Sequence, residues 1–224
     1  MNKDVFSIAI DGPSGAGKST IAKETAKRLG IIYVDTGAMY RAMGLKTIRA
    51  GINADDVESV CSILDGTDVT IEFRDGVQHV LLDNEDVSDA IRTQEVSNAA
   101  SKVSAIPQVR EKMVQLQRRI AEDKTVVMDG RDIGTNVLPG ARFKFFVTAS
   151  PEQRASRRYR ELKQNGKLNG MTFNELLIEM IQRDERDSKR ECNPLKKAPE
   201  AILIDTTYMN IEQATAALLN KVVD

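Results

Sequence analysis

Between residues 12 and 19 the chain reads Gly12-Pro13-Ser14-Gly15-Ala16-Gly17-Lys18-Ser19, which matches the pattern G-x-x-x-x-G-K-[ST]. A short apolar run at residues 5–10 precedes this segment and predicts a β-strand. Apolar residues at helical spacing follow over residues 18–29, and Gly30 is predicted to end that helix. The order of strand, glycine-rich loop and helix is the context that the motif requires, so the segment is predicted to be a phosphate-binding loop, or P-loop.

The residue types of the loop suit nucleotide phosphates. Glycines let backbone N–H groups curve around the phosphates, and the N-terminus of the following helix adds a partial positive charge. Lys18 is expected to reach the β- and γ-phosphates, and the Ser19 hydroxyl is expected to ligate Mg²⁺. A glycine-rich turn without a ligand is the alternative interpretation, which the flanking strand and helix disfavour.

Four more short apolar runs predict buried strands, each next to a helical stretch, at residues 31–34, 125–128, 143–147 and 202–205. Near-continuous apolar strands that alternate with amphipathic helices are typical of a parallel sheet covered on both faces. The predicted fold class is therefore α/β with three layers.

One segment departs from this alternation. Residues 69–73 and 77–82 alternate at the period of a strand and are joined through Arg74-Asp75-Gly76, which predicts an antiparallel hairpin. Polar residues 83–86 follow the hairpin. Helices are predicted to flank it at residues 54–64 and 93–100, and a further helix is predicted at residues 108–120. An arginine-rich helix at residues 152–165 is predicted to lead into a flexible exit at residues 166–170.

Composition excludes several classes of function. The 224 residues carry 32 Lys+Arg against 33 Asp+Glu, and only 4% are aromatic with no Trp, which argues against a nucleic-acid-binding surface. Cys61, Cys192 and the single His79 form neither a zinc-type spacing nor a disulfide framework, so a reducing cytoplasm is expected. The apolar run near the N-terminus is too short for a signal peptide or a membrane span, so no membrane association is expected.

Asp129 follows the predicted strand at residues 125–128, at the strand's carboxyl end, where ligands bind in parallel sheets. Mg²⁺ takes few direct carboxylates and keeps several waters, so Asp129 is expected to hold the ion through water. The alternative interpretation is an aspartate that caps a helix or a turn.

Arginines recur at helical spacing in two predicted helices: Arg154, Arg157 and Arg158 in the first, and Arg183, Arg186 and Arg190 on one face of the second. The guanidinium group pairs bidentately with phosphate, which favours a kinase for a small phosphorylated acceptor. The Asp-x-x-Gly and Asn-Lys-x-Asp motifs of a GTPase are absent from the sequence. A solvated helix face laced with salt bridges is the alternative interpretation of both arginine sets.

Five segments in this order resemble the bacterial cytidylate kinase family: residues 12–19, Asp35-Thr36-Gly37-Ala38-Met39-Tyr40-Arg41, Ile91-Arg92-Thr93-Gln94-Glu95-Val96, Asp129-Gly130-Arg131-Asp132-Ile133-Gly134-Thr135 and Arg183-Asp184-Glu185-Arg186-Asp187. The resemblance implies a nucleoside-monophosphate (NMP) kinase with a five-stranded parallel sheet, an NMP-binding insert and a small lid. By this resemblance the core covers about residues 1–63, 93–150 and 171–224, the insert about 64–92 and the lid about 151–170.

The resemblance also implies the reaction and the residues that serve it. ATP is expected as co-substrate, CMP or dCMP as acceptor and Mg²⁺ as cofactor, in a monomer without an obligate protein partner. The implied ATP site comprises Gly12, Pro13, Ser14, Gly15, Ala16, Gly17, Lys18, Ser19, Thr20 and Arg157. The implied acceptor site comprises Thr36, Tyr40, Arg41 and Arg131 around the phosphate, Ser101, Arg110 and Asp132 at the cytosine, and Arg183 and Asp187 at the sugar.

Four groups are expected to act on the transferred phosphoryl group: Lys18, Arg131, Arg183 and Arg190. Ser19, Asp129 through water and Asp35 through water are the expected Mg²⁺ ligands. Asp132 would accept from the exocyclic amine of cytosine and repel the carbonyl of uracil, or alternatively form a salt bridge to the arginine-rich helix. A kinase for another small acceptor and a non-catalytic ATP-binding module remain the alternative functions.

Overall fold

The structure, a computed structural model, describes residues 5–168 and 170–222. Residues 1–4, 169 and 223–224, which the predicted boundaries include, lie outside the described residues. In chain order the elements are β1 (Ser7–Asp11), α1 (Lys18–Leu29), β2 (Ile32–Asp35), α2 (Thr36–Arg49), α3 (Val57–Ser62), β3 (Val69–Arg74), β4 (Val77–Leu82), β5 (Glu85–Asp86), α4 (Gln94–Val103), α5 (Pro107–Ala121), β6 (Val126–Gly130), a π-helical turn (Ile133–Val137), β7 (Phe143–Thr148), α6 (Pro151–Gln164), α7 (Phe173–Lys189), β8 (Ile202–Asp205) and α8 (Ile211–Leu219).

A five-stranded parallel sheet in the order β2-β6-β1-β7-β8 forms the centre of the fold, as the apolar runs predict. β1 lies between β6 and β7, and Ile10 is aligned with Asp129 on one side and with Phe145 on the other. Ile10 and Phe145 are almost fully buried, as strands covered on both faces require. The α/β class with a five-stranded sheet is therefore confirmed.

A separate antiparallel sheet has the order β3-β4-β5. The predicted hairpin is present, with Val69 opposite Leu82 and Arg74 opposite Val77. β5 is absent from the predicted elements because its two residues, Glu85 and Asp86, are acidic and exposed and carry no strand pattern. It forms because the chain turns back at Asp83 and Asn84, both at positive φ, and pairs with β4.

The chain divides into two compact units, one made of residues up to Ile31 and from Thr125 onward, the other of Ile32–Lys124. The predicted insert at residues 64–92 falls within the second unit. In that unit α2 is absent from the predicted elements, because two interior glycines, Gly37 and Gly44, weaken the helical pattern of its sequence. The helix forms because its buried face, which includes Met39 and Met43, packs in the core.

In the first unit α6 and α7 form a helical hairpin with a small core of Ala155, Leu162, Leu176 and Met180. α7 ends at Lys189, and Arg190 has extended backbone angles of φ −62° and ψ 140°. The prediction that Arg190 shares a helical face with Arg183 is therefore wrong, because the chain leaves the helix one residue earlier. Among the described residues, no helix combines the length and the apolar character needed to span a membrane.

Candidate functional site

The P-loop leaves β1 at Gly12, whose φ of 145° lies in a region that other residues rarely adopt. A Cβ atom at this position would lie 1.9 Å from the carbonyl oxygen of Val147 in β7, so only glycine fits. Gly17 is the N-cap of α1 in the left-handed conformation, and Lys18 is the first helical residue. The motif therefore has the strand, loop and helix order that the sequence predicts.

The Lys18 side chain is buried, and its Nζ donates a hydrogen bond of 2.7 Å to the carbonyl oxygen of Pro13. Burial, together with the positive charge of Arg131, lowers the pKa of Lys18 to about 7, while Asp129 and Asp11 oppose this shift. A further negative charge near Nζ, such as a phosphate, would favour the charged ammonium. The P-loop thus holds a lysine whose charge depends on what binds beside it.

Ser19 and Asp129 lie together at the carboxyl end of β6. The Ser19 hydroxyl donates a hydrogen bond of 2.9 Å to Asp129 Oδ2, and Asp129 is buried. A hydroxyl and a carboxylate are oxygen ligands of the kind that Mg²⁺ prefers, so both residues fit the expected ion. Asp35 caps α2 instead, because its Oδ1 accepts from the Ala38 amide, and its expected contact with Mg²⁺ stays a prediction.

Arg131 follows β6 and pairs with Asp187 on α7. Arg131 Nε donates to Asp187 Oδ2 at 2.9 Å. Burial alone would raise the pKa of Asp187, but Arg131, Arg183 and Arg190 together lower it below its usual value. Burial acts to lower the pKa of Arg131, but the charge and hydrogen bond of Asp187, together with the charges of Asp129 and Asp184, raise that pKa above its usual value. Both partners are therefore charged, and three of the predicted arginines act on one carboxylate.

Asp132 also contacts a predicted arginine. Its Oδ1 accepts from Arg190 Nη2 at 3.2 Å and its Oδ2 from Asn136 Nδ2 at 3.0 Å. The side chains of Asp132 and Arg190 are both only 6% exposed. The salt-bridge interpretation of Asp132 is thus realised, although the partner, Arg190, lies just beyond the helix.

The arginines of α6 differ from one another in their surroundings. Arg154 is buried, and its guanidinium donates to Ala149 O at 2.9 Å, to Ser14 O at 3.0 Å and to Asp184 at 2.6 Å. All three guanidinium nitrogens of Arg154 therefore donate to protein acceptors, and these bonds connect the P-loop to α6 and α7. A phosphate-binding role, one of the two interpretations of this arginine, is not supported.

Arg157 reaches the P-loop through Thr206. Its Nη1 and Nη2 donate to the hydroxyl and the carbonyl oxygen of Thr206, at 3.0 and 2.6 Å. The Thr206 hydroxyl lies 3.1 Å from the carbonyl oxygen of Ala16 and 3.0 Å from that of Thr148. Arg157 thus lies beside the ATP segment that the sequence predicts. Thr206 itself is not predicted, because no motif distinguishes it from other threonines.

In the second unit the start of α2 carries Thr36, which is buried, and Arg41. Arg41 Nη2 donates to Asp35 Oδ2 at 2.7 Å. Gln78 of β4 bonds the backbone of Asp35 twice: its Oε1 accepts from the amide at 2.7 Å and its Nε2 donates to the carbonyl oxygen at 3.1 Å. Gln78 is not predicted as a site residue because a glutamine on an alternating strand carries no motif.

The predicted cytosine residues of the second unit are buried. Arg110 is 2% exposed, its Nη1 donates to Ser104 O at 3.2 Å, and its guanidinium lies 5.7 Å from the centre of the Tyr40 ring. The buried Ser101 hydroxyl has no hydrogen-bond partner among the described residues. A buried hydroxyl in this state is expected to gain a partner when a polar ligand binds.

The residues of the expected site fall in both units. The first unit brings together Lys18, Ser19, Asp129, Arg131, Asp132, Asp187 and Arg190 through the contacts above, and Arg183 acts electrostatically on Lys18 and Asp187. The second unit holds Thr36, Tyr40, Arg41, Ser101 and Arg110. Asp11, at the end of β1, is a further buried acid of the first unit that the sequence analysis does not name.

The parallel sheet and the P-loop geometry define a P-loop kinase fold. A sequence profile of the cytidylate kinase family matches residues 8–224. The cytidylate kinase of Caldicellulosiruptor saccharolyticus is 52% identical over 96% of this chain and 94% of its own length, and that of Clostridioides difficile is 47% identical over 96% and 97%. The chain belongs to the cytidylate kinase family.

Solved structures agree with the fold. A shikimate kinase from Bacteroides thetaiotaomicron aligns with a TM-score of 0.50 at 15% identity, over 98% of this chain and 99% of that one. An uncharacterised protein from Eubacterium ventriosum aligns with a TM-score of 0.54 at 13% identity, over the same shares. At such low identity these likenesses concern the fold alone.

Proposed function

We propose that this protein transfers the γ-phosphoryl group of ATP to CMP or dCMP, which gives ADP and CDP or dCDP. The observation that carries the proposal is the P-loop geometry, in which the buried Lys18 bonds Pro13 O and Ser19 bonds the buried Asp129, in a chain of the cytidylate kinase family. The curated relatives named above are cytidylate kinases. A cytoplasmic monomer remains our expectation for the protein.

ATP binds with its phosphates on the backbone of residues 12–20. The ammonium of Lys18 exchanges its bond to Pro13 O for the phosphates, whose charge keeps it protonated. Arg157 lies at the donor side, beside Thr206. Ser19, and Asp129 through water, would hold Mg²⁺, which when bound neutralises charge on the phosphates.

The acceptor phosphate is held by Thr36, Arg41 and Arg131, with Tyr40 beside them, and the sugar by Arg183 and Asp187. These assignments follow the family resemblance, and the charge balance supports them. Asp187 accepts a hydrogen bond from Arg131 Nε, and its negative charge favours the charged form of Arg131. Arg131 Nη1 also donates to Gly130 O at 3.3 Å, and each terminal nitrogen of the guanidinium carries two N–H groups, which suits a phosphate contact.

Cytosine is read by Ser101, Arg110 and Asp132. Asp132 Oδ1 accepts from Arg190 and Oδ2 from Asn136, which hold the carboxylate in place, and a carboxylate is an acceptor that suits the exocyclic amine of cytosine. Uracil presents a carbonyl oxygen at that place and would leave a buried acceptor unpaired, at about 1–3 kcal/mol. The buried Ser101 hydroxyl would gain a partner on the base.

Phosphoryl transfer needs positioning and charge stabilisation more than covalent chemistry, so we assign no general base. Lys18, Arg131, Arg183 and Arg190 stabilise the charge that spreads over the transferred group. We further propose that residues 151–170 act as a lid that excludes water, because an exposed γ-phosphate would be hydrolysed.

A coupled assay of ADP release with ATP and Mg²⁺ tests the proposed function. It compares CMP, dCMP, UMP, AMP and no acceptor. We expect CMP or dCMP to give the fastest turnover, with a blank near zero. A faster rate with another acceptor would retain the P-loop chemistry and refute the base assignment. Equal rates with and without acceptor would refute phosphotransfer and favour an ATP-binding module.

A further inference from the structure

Asp11 is the last residue of β1, and its carboxylate accepts hydrogen bonds from two backbone amides. Its Oδ1 accepts from the Ile133 amide at 2.7 Å and its Oδ2 from the Gly134 amide at 2.8 Å. The side chain is 3% exposed. Hydrogen bonds from N–H groups to an ionised carboxylate are among the strong ones in proteins, and burial removes competition from water.

Asp11 lies beside both ends of the two-residue turn of Arg131 and Asp132. Before the turn, the backbone of Gly130 is aligned with Asp11 in the parallel ladder between β6 and β1. After the turn, Ile133 and Gly134 are held by the Asp11 side chain. Two residues between fixed ends have little freedom, so Asp11 sets the direction in which the Arg131 and Asp132 side chains leave the backbone.

The close approach on the far side of the turn depends on glycine. A Cβ atom at Gly134 would lie 3.4 Å from Asp11 Oδ2 and 3.2 Å from Cδ of Lys144. A Cβ atom alone would touch Oδ2 at ordinary contact distance and require the Lys144 side chain to shift by a few tenths of an ångström, whereas a branched side chain would extend further and crowd the carboxylate. Gly134 and Asp11 therefore form one contact that can be weakened from either partner.

We propose that Asp11 is a positioning residue for acceptor selection: by holding the Ile133 and Gly134 amides, it fixes the Arg131–Asp132 turn in the orientation that recognises the acceptor nucleotide. The proposal rests on the proposed function, because it takes Arg131 and Asp132 as acceptor-binding residues. Asp11 contacts neither ATP nor the acceptor in this scheme. Burial raises the pKa of Asp11 to about 6 and the two amide bonds oppose the rise, so the carboxylate is ionised at pH 7.5.

The substitution Asp11→Asn keeps the shape of the side chain but can accept from only one of the two amides, because its NH₂ group faces the other. We expect kcat/KM for CMP to fall about tenfold at pH 7.5, and the ratio of kcat/KM for CMP over UMP to fall at least fivefold. The ratio is the decisive readout, because the lost charge also acts on the Lys18 ammonium, and that effect is the same for both acceptors. The matched control is Val126→Ala, which removes buried side-chain volume from β6 at its opposite end, where Val126 is aligned with Ser7. The control should lose stability but keep the CMP to UMP ratio.

Gly134→Val provides a second variant should Asp11→Asn fail to fold, because its branched side chain extends beyond the Cβ position that already touches Asp11 Oδ2. It disturbs the same contact without a change in charge and should lower the same ratio. In the double variant the two effects should be less than additive, because both substitutions weaken one contact. Amide hydrogen exchange of Ile133 and Gly134 adds a readout that is independent of activity, and faster exchange is expected in both variants.

An unchanged CMP to UMP ratio in both variants, with faster exchange at Ile133 and Gly134, would overturn the proposal for Asp11 and leave the proposed function intact. A loss of the ratio in Val126→Ala equal to that in Asp11→Asn would also overturn it, because the effect would then reflect stability alone. A wild-type protein without preference for CMP or dCMP over UMP would overturn the proposed function, and the selection role of Asp11 with it.

Discussion

The Ser19 hydroxyl donates a 2.9 Å hydrogen bond to Asp129 Oδ2, which joins the first turn of α1 to the carboxyl end of β6 across 110 residues of sequence. Parallel strands bring their carboxyl ends to one edge of a sheet, and β1 and β6 are direct neighbours here. Two oxygen ligands that the sequence predicts separately therefore lie within one hydrogen bond of each other, beside the buried Lys18.

Ser19→Ala is expected to raise the Mg²⁺ concentration needed for half-maximal activity and to lower kcat. It removes the hydroxyl that is expected to ligate Mg²⁺ and that donates to Asp129. Loss of a hydrogen-bond partner of a metal ligand alone reduces metal affinity or activity by about 10–100-fold. The measurement is a Mg²⁺ titration of the ADP-release rate at fixed ATP and CMP. Ser62→Ala is the matched control, since Ser62 is exposed and its hydroxyl donates to Ser59 O within α3. Equal Mg²⁺ dependence in both variants would contradict the assignment.

Arg131→Ala and Arg183→Ala are each expected to lower the transfer rate at least tenfold, which corresponds to about 1.4 kcal/mol or more in the barrier. The reason is the loss of a positive charge near the transferred group. Steady-state kinetics with CMP and ATP measures the effect. Arg186→Ala, at an exposed position of the same helix as Arg183, should keep the rate within twofold. Wild-type rates in both active-site variants would refute the mechanism.

Arg154→Ala is expected to destabilise the protein strongly and to weaken ATP binding. The substitution breaks the bond to Ser14 O of the P-loop and leaves Asp184, whose Oδ1 already has no partner among the described residues, without its ion pair. Removal of one partner from a buried ion pair lowers the free energy of unfolding by about 3–5 kcal/mol. Urea unfolding and ATP titration measure the two effects.

Arg158→Ala on the same helix is the control for Arg154→Ala. Arg158 pairs with Glu161, which is 57% exposed, and exposed pairs contribute about 0–1 kcal/mol. A similar loss of stability in the two variants would show that the buried network at Arg154 has no special role.

Lys18 is expected to make the stability of the protein depend on pH when neither nucleotide nor metal is bound. The folded protein releases the Lys18 proton at a pKa of about 7, whereas the ordinary lysine pKa is 10.5. Between these two pKa values the unfolded chain binds more protons than the folded protein does. The contribution of Lys18 to the free energy of unfolding therefore increases as the pH rises above 7. Urea unfolding of wild type and Lys18→Met from pH 7 to 9.5 isolates this contribution. The wild type should gain stability relative to the variant, and a constant difference would contradict the lowered pKa.

The P-loop was predictable because its conformation is specified locally. Residues 12–19 carry the glycines and the lysine that define it, and Gly30 marks the end of α1, which runs over the predicted residues 18–29. The parallel strands were predictable for a similar reason, because a short apolar run between turn residues is typical of a strand that is buried on both faces.

The partners of charged side chains were not predictable in the same way. Arg154, Arg157 and Arg158 have similar spacing on one helix, yet Arg154 is buried on the P-loop, Arg157 binds Thr206 and Arg158 pairs with Glu161. Asp11 has two amide partners that lie more than 120 residues away in the sequence. Such contacts depend on tertiary packing, which residue spacing does not encode.

Phosphoryl transfer to cytidylate is tested most directly by ³¹P NMR of a mixture of the protein, ATP, CMP and Mg²⁺. We expect the γ-phosphate signal of ATP to decline while the β-phosphate signal of CDP appears in equal amount, without inorganic phosphate. A parallel sample with UMP should convert much more slowly. Inorganic phosphate without CDP, or ATP and CMP that both persist, would contradict the proposed function.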